Sequence, residues 1–163
     1  MTKKAFALLV LVLVMGSAVL VKAGQDDEVD KLIKTAKSLE EKPLDKNAKE
    51  LRSWALKWLI QTDKVSVSLC SLMLSVDKKY KYQSELFSQY TIGMGAFKLS
   101  NPERAKDEDA AQLAGVESAM KAYEVLLAEQ PKAKSAFMDD LLAKRADGTL
   151  AKYVAENNCK EKK

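Results

Sequence analysis

Hydrophobic residues recur at helical spacing along most of this chain, and the pattern is clearest between residues 113 and 130. The apolar positions there follow the i, i+3, i+7 spacing of a helix with one buried face: Leu113, Val116, Met120, Tyr123 and Leu127. Polar residues occupy the opposite face, and they include Glu117, Ser118, Lys121, Glu124 and Glu129. Because Pro131 cannot continue a helix, the pattern predicts a central helix that ends before it.

Five other segments have the same periodicity, and each predicts a helix with one apolar face. Their apolar positions fall within residues 29–39, 51–59, 86–97, 137–142 and 150–154. Turn-forming pairs mark the ends of these segments: Lys42-Pro43, Thr62-Asp63, Asn101-Pro102 and Asp147-Gly148. Asp45 and Asp107 are the predicted N-caps of the second helix and of the central helix.

The segment Val65–Val76 has a mixed pattern. Its first residues alternate like a strand, whereas its later apolar positions follow a helical stripe: Leu69, Leu72, Met73 and Val76. No other segment alternates, and a lone strand would leave backbone hydrogen-bonding groups unpaired, so we predict a helix here. The predicted fold class is all-α, a single compact domain of six or seven helices packed as antiparallel pairs.

The first 23 residues have the composition of a signal peptide. Two lysines precede the apolar run Ala5–Val14, and Val21-Lys22-Ala23 has the small-x-small pattern of a cleavage site, as does Gly16-Ser17-Ala18. A transmembrane anchor is the alternative, since Ala5–Val21 is almost entirely apolar, but that run is somewhat shorter than the roughly 20 residues that span a bilayer. We predict a cleaved signal over 1–23, an exported helical domain over 24–163 in the periplasm or outside the cell, and no stable membrane anchor after cleavage.

A cleaved signal changes the charge of the mature chain. The whole sequence has a formal net charge of +4, and the predicted signal contains three lysines and no acid, which leaves +1 on the mature domain. A nearly neutral domain lacks the basic surface by which proteins bind nucleic acid, so we predict no nucleic-acid partner. The tail Lys160–Lys163 is expected to be a solvated, frayed end.

Both cysteines, Cys70 and Cys159, belong to the predicted mature domain. Export would place them in an oxidising compartment, where two thiols are the minimum for a disulfide. A Cys70–Cys159 bridge would connect the last helix to the middle of the domain, and we expect it in a structural role. The alternatives are a buried free thiol at Cys70 with a loose Cys159, or an intermolecular disulfide.

The sequence lacks the residues that several chemistries require. It has no histidine, which removes the commonest general base, the Ser-His and Cys-His nucleophile pairs and every histidine metal site. It also has no glycine-rich phosphate loop, GxSxG turn or dinucleotide fingerprint. Ser-x-x-Lys occurs at Ser75–Lys78 and Ser118–Lys121, but a lysine on a solvated helix face stays protonated and cannot activate a serine. We predict no enzyme activity, no cofactor and no metal site.

Two short features are candidates for a contact surface. The connector Tyr80-Lys81-Tyr82 places two aromatic side chains beside a charged one between helices. Gly93 and Gly95 lie inside a predicted helix and lower its propensity, so close approach of another helix, or of a ligand, must compensate. Tyr80, Tyr82, Gly93 and Gly95 are the predicted contact residues, with ordinary turn and packing roles as the alternative.

The central helix also contains a small residue, an aromatic residue, an apolar residue and a proline at fixed spacings: Ala119, Tyr123, Leu126 and Pro131. Together with Ile92-Gly93, this pattern resembles one helix pair of the tetratricopeptide-type repeat family. That family packs both helices into about 34 residues, whereas about 14 extra residues lie here before Ala119, and the pattern occurs once. The resemblance implies an antiparallel helix pair in a protein-binding scaffold, and it implies no particular binding residue.

Together these features favour a small exported helical protein without catalytic activity that binds another protein, as an adaptor, chaperone-like, inhibitor or immunity-type component. The alternative is a carrier of a small apolar ligand in a cavity between helices, lined by Trp54, Trp58, Phe87, Met94, Phe97 and Met120. A continuous apolar cavity would favour the carrier, whereas a solid core with an exposed apolar groove would favour protein binding.

Overall fold

A computed structural model describes residues 20–157, with side chains described from residue 27 onward. Within this range the chain forms six α-helices: α1 (Leu20–Glu41), α2 (Ala48–Gln61), α3 (Gln83–Ser100), α4 (Glu108–Glu129), α5 (Ala136–Ala146) and α6 (Leu150–Glu156). Two short 3₁₀-helices cover Ser71–Ser75 and Pro102–Arg104, and no strand occurs between residues 20 and 157. The predicted all-α fold is confirmed.

The predicted signal peptide falls mainly on residues 1–19, which lie outside the described residues, while residues 20–23 begin α1. None of the helices in the described range is both long and apolar enough to cross a membrane. The cleavage of residues 1–23 therefore remains a prediction.

Several helix ends have the residues that the sequence indicated. The Asp107 carboxylate accepts a hydrogen bond from the Ala110 N–H at 3.0 Å and caps α4, as predicted. Gly148 follows α5 with a φ of 77°, a left-handed conformation that glycine adopts without strain. The second helix differs from prediction, because its N-cap residue is Asn47, and Asp45 instead accepts the Asn47 N–H at 2.9 Å.

Helices α3 and α4 form the central pair of the fold. Contacts run from Lys98–Glu108 at one end to Gln89–Ser118 farther along, so the two helices are antiparallel. They approach closely at Gly93, where an added Cβ would lie 2.5 Å from the Ser118 Cβ. The close approach that the glycine predicted is therefore present, and it compensates for the lower helix propensity.

Two separate hydrophobic clusters lie on different sides of α3. The larger one joins α3 and α4 to α5, α6 and the 3₁₀-helix Ser71–Ser75, with Tyr90, Met94, Met120, Tyr123 and Leu141 fully buried. The smaller one joins α1 and α2 to Ile92 of α3, through Leu32, Leu39, Ala55 and Leu59. Because α3 contributes to both clusters, it holds the two parts of the domain together.

The helix predicted over Val65–Val76 is wrong. Residues 65–70 have no regular secondary structure, and a short 3₁₀-helix over Ser71–Ser75 follows them. The prediction assumed that an extended segment without a partner strand would leave its backbone unpaired. In the structure, side chains of α3 and α4 form hydrogen bonds to this backbone at residues 66, 68 and 70.

Candidate protein-contact surface

The segment Val65–Val76 contains no charged residue, although charged residues make up 31% of the chain. We call these twelve residues the uncharged segment. Charged pairs flank it on both sides, Asp63-Lys64 before it and Asp77-Lys78 after it. It connects α2 to the loop that precedes α3, and it runs between the two hydrophobic clusters.

One backbone edge of the uncharged segment is fixed to the helices by three polar side chains. The Lys98 ammonium donates to the Ser66 carbonyl at 2.9 Å, and the Gln112 amide donates to the Ser68 carbonyl at 2.6 Å. The Tyr90 hydroxyl accepts a hydrogen bond from the Cys70 N–H at 3.5 Å. We call this the inner edge of the segment.

The side chains that hold the inner edge are buried, and each has a further partner. Lys98 is only 5% exposed, and its ammonium also contacts the Glu108 carboxylate at 2.5 Å, which compensates for burying the charge. The Tyr90 hydroxyl donates to the Gln112 side-chain carbonyl, and burial raises the pKa of Tyr90. The hydroxyl therefore remains protonated at neutral pH and keeps this donor.

The contacts at residues 66, 68 and 70 recur with the period of an extended chain. In an extended segment, successive residues direct their backbone groups to opposite edges. Val65, Val67 and Leu69 therefore direct theirs away from the helices, and within the described part of the chain these groups have no hydrogen-bond partner. We call this the outer edge.

The side chains along this stretch leave apolar surface in contact with solvent. Val65 and Val67 pack partly against the two clusters. Three large hydrophobic side chains are exposed among the described residues, with exposed fractions of 84% for Ile60, 51% for Leu69 and 56% for Leu74. All three fall within residues 60–74, and grouped exposed apolar side chains typically mark an interaction site.

The predicted contact residues Tyr80 and Tyr82 have a structural role. The Tyr80 hydroxyl donates to the Ala133 carbonyl at 2.9 Å, and the Tyr82 hydroxyl donates to the Gln130 side-chain carbonyl at 2.5 Å. Tyr82 is only 4% exposed, and the two rings meet edge to face with centroids 5.9 Å apart. The tyrosines thus hold the connector before α3 against the loop between α4 and α5.

Exposed lysines lie next to these tyrosines, and the sequence did not lead us to predict them as contact residues. The two hydrogen-bonded loops carry Lys78, Lys79, Lys81, Lys132 and Lys134. All five are exposed, and none forms an ion pair with another described residue. Acids also lie nearby, at Asp77, Glu85, Glu129 and Asp139. The lysine groups are about 50 residues apart in sequence, so only the fold brings them together.

The other two predicted contact residues, Gly93 and Gly95, are buried inside the domain. A Cβ added at Gly95 would lie 2.6 Å from a Leu59 methyl group, just as one at Gly93 would meet Ser118. Both glycines therefore allow close helix packing, the alternative that the sequence left open, and they lie away from the exposed surface.

Ser118 occupies an environment different from the one expected. It is 2% exposed rather than on a solvated face, since α1 covers this side of α4. Its hydroxyl donates to Glu40 at 2.6 Å and accepts from the Gln89 amide at 2.8 Å. The Lys121 ammonium contacts Glu40 at 3.3 Å instead of Ser118, so this Ser-x-x-Lys pair does not form a dyad.

Most of the residues predicted to line a ligand cavity divide between the two hydrophobic clusters. Met94, Met120 and Phe87 belong to the larger cluster, whereas Trp58 and Trp54 belong to the smaller one. An open depression of about 470 Å³ does occur beside α1, and most of the residues that border it are polar or charged: Asp27, Asp30, Lys31, Lys34, Thr35, Ser38 and Leu51. It lacks the enclosed character of a site for an apolar ligand.

The remaining predicted site residues concern the cysteines and metals. Cys70 is buried at the end of the inner edge, and Cys159 lies outside the described residues, so the Cys70–Cys159 bridge stays a prediction. No group of three potential metal ligands lies together in the described range.

Comparison with family models, with curated proteins and with solved structures finds no match to this chain. The resemblance to a tetratricopeptide-type helix pair therefore stays an expectation. Any functional conclusion has to come from the geometry of the chain itself.

Proposed function

We propose that this protein is an exported, non-catalytic, protein-binding component, and that residues 60–76 form its contact surface. The observation that carries the proposal is the position of the three exposed large hydrophobic side chains, Ile60, Leu69 and Leu74. Leu69 and Leu74 lie on a segment without charges, and Ile60 lies five residues before it. Interface centres are characteristically depleted of charge.

Fixation of the inner edge strengthens this proposal. A loop that orders only on binding loses part of its interaction energy to the ordering of its backbone and side chains. Here Lys98, Gln112 and Tyr90 already hold the backbone of the uncharged segment against α3 and α4. Leu69 and Leu74 are therefore presented to a partner at a low entropic cost.

The lysine-bearing loops would provide the polar rim of the same surface. Asp77 directly follows the uncharged segment, and the connector lysines come next in the chain. Exposed charges at a rim mainly affect association rate and partner choice, rather than the strength of the final complex. Carboxylates at the rim of the partner would fit these lysines.

Export and the disulfide belong to the same proposal. A Cys70–Cys159 bridge would join the chain end to the last residue of the inner edge and would close a loop of about 90 residues, worth about 4–5 kcal/mol on the chain-entropy model. It would restrain the contact surface in an oxidising compartment.

The test is affinity capture from the native host with the purified protein as bait, followed by a matched pair of variants. Leu69→Asp/Leu74→Asp should abolish the capture of a specific partner, since it places two charges in the apolar centre. Ala143→Asp/Ala151→Asp adds the same charge at exposed positions of α5 and α6 and should leave capture unchanged. Equal capture by both variants, or the absence of any specific partner, would contradict the proposal.

A further inference from the structure

The outer edge of residues 65–69 has a chemistry that identifies what can cover it. Its polar groups belong to the backbone, and they alternate along the segment at Val65, Val67 and Leu69. Another extended backbone satisfies such an edge residue by residue, which is how a peptide strand adds to the edge of a sheet.

The edge has none of the features by which proteins usually prevent this pairing. Exposed edges are normally protected by lysines, prolines, bulges or a covering element. Between Val65 and Val76 there is no charge, no proline and no glycine, and the outward groups are unpaired within the described range. The inner edge faces α3 and α4, whose side chains bond it at residues 66, 68 and 70, so addition can occur on one side only.

We infer that the partner covering this edge is a second copy of the chain, paired antiparallel through the same segment. The inference rests on the proposed function, because it names the partner for that contact surface. With a two-fold axis at Val67, Val65 lies opposite Leu69 of the second copy, and Val67 lies opposite its own counterpart. Every outward N–H then faces an outward C=O, as a self-complementary two-fold contact requires.

The side chains agree with this register. Directly opposite residues in an antiparallel pair lie on the same face, so Leu69 packs beside Val65 of the second copy. Leu69 is the exposed member of this row, and pairing covers it with an apolar neighbour. Because residues 65–69 are uncharged, pairing them with their counterparts in an identical copy places no like charges directly opposite each other.

The first experiment measures the mass of the native, processed chain by sedimentation over a wide concentration range, for wild type and two proline variants. Val67→Pro removes an outward N–H and should abolish the concentration-dependent dimer. Ser68→Pro is the matched control, since the Ser68 N–H points inward and no hydrogen bond uses it in the described structure, so its dimer should persist. Unchanged circular dichroism and melting temperature confirm that both variants fold.

A second experiment tests the register and does not require proline. Directly hydrogen-bonded residues in an antiparallel pair have Cα atoms about 5.5 Å apart, within the range of a disulfide. Val67→Cys should therefore form a 67–67 cross-link on mild oxidation, identified by peptide mass mapping. Ser66→Cys faces residue 68 of the other copy and should cross-link to itself at least tenfold more slowly.

The outcomes separate the inference from the proposed function. A dimer lost in Val67→Pro, kept in Ser68→Pro and cross-linked at residue 67 supports the inference. A monomer at all concentrations, or a dimer insensitive to Val67→Pro, overturns it. If that monomer still captures a different protein through Leu69 and Leu74, the proposed function stands without this partner, and if it captures none, both fail.

Discussion

The uncharged segment and the connector Tyr80–Tyr82 are both irregular, and both are held to the domain by hydrogen bonds from side chains. They differ in whether those side chains belong to the rest of the domain or to the irregular segment itself. The uncharged segment contributes its backbone groups, and buried side chains of helices that are distant in sequence bond to them. The connector offers its own tyrosines, which reach the loop between α4 and α5. The local sequence of the uncharged segment therefore does not reveal its attachment, whereas the tyrosines that attach the connector are part of the connector's own sequence.

The largest expected effect comes from Lys98. Lys98→Met keeps most of the buried stem but removes the ammonium that bonds the Ser66 carbonyl and Glu108. We expect a loss of about 2–3 kcal/mol in the free energy of unfolding, because a buried hydrogen-bonded charge pair loses one partner. Denaturant unfolding measures the loss, and amide hydrogen exchange should accelerate at residues 65–70 but not at 77–82.

Lys121 is the control for this substitution. Its ion pair with Glu40 is on the surface, so Lys121→Met should cost less than about 1 kcal/mol. Equal losses for the two lysines would show that the inner edge does not depend on a buried cation.

Tyr90→Phe is expected to have an intermediate effect. It leaves the Gln112 side-chain carbonyl and the Cys70 N–H without their hydroxyl partner inside the domain. A destabilisation of about 1–2 kcal/mol should follow, since buried polar groups lose a hydrogen bond without gaining water. A thermal melt measures it, and no change in melting temperature would contradict the contact.

Tyr80→Phe should cost less, about 0.5–1 kcal/mol, because the half-buried hydroxyl bonds a carbonyl near the surface. It should also change the response to alkali. Burial, with help from Tyr82, Asp139 and Glu85, raises the pKa of Tyr80 from 10.0 to about 12. The stabilisation that the protonated Tyr80 hydroxyl provides is therefore fully present below pH 10, and it is lost as the pH rises from 10 to about 12. The free energy of unfolding, measured from pH 9 to 12, should therefore decrease less steeply in the variant than in the wild type.

The smallest effect on stability is expected at the lysines of the two loops. Lys78→Glu/Lys132→Glu changes exposed residues without ion pairs among the described residues, so the free energy of unfolding should change by less than about 0.5 kcal/mol. If these lysines form a rim, association with the captured partner should slow and should lose much of its salt dependence. Stopped-flow or surface-binding kinetics at two salt concentrations measure both.

The sequence allowed the helices to be predicted because their determinants are local. Periodic apolar positions, the Asp107 cap and the Gly148 stop act within a few residues of the element that they define. The all-α class follows from them. The polar face assigned to α4 was only partly right, because α1 also covers Ser118, and no pattern within α4 indicates a second covering helix.

The candidate contact surface was not predictable for a related reason. The hydrogen bonds that keep residues 65–70 out of a helix come from Lys98 and Gln112, which lie 32 and 44 residues away in the chain. The exposed lysines likewise become neighbours only when Tyr80 and Tyr82 reach the α4–α5 loop. Single-sequence reasoning identified the tyrosines, but it could not see which residues their contacts would bring together.

The position of α3 between the two clusters has a consequence for how the chain is made. Helices α1 and α2 are synthesised first, yet the surface that they pack on includes Ile92 of α3 and, through Glu40, a serine 78 residues later. During synthesis on the ribosome, α1 and α2 therefore lack part of the surface that they pack against until α3 and α4 have emerged. We therefore expect α1 and α2 to complete their packing only late in synthesis, after α3 and α4.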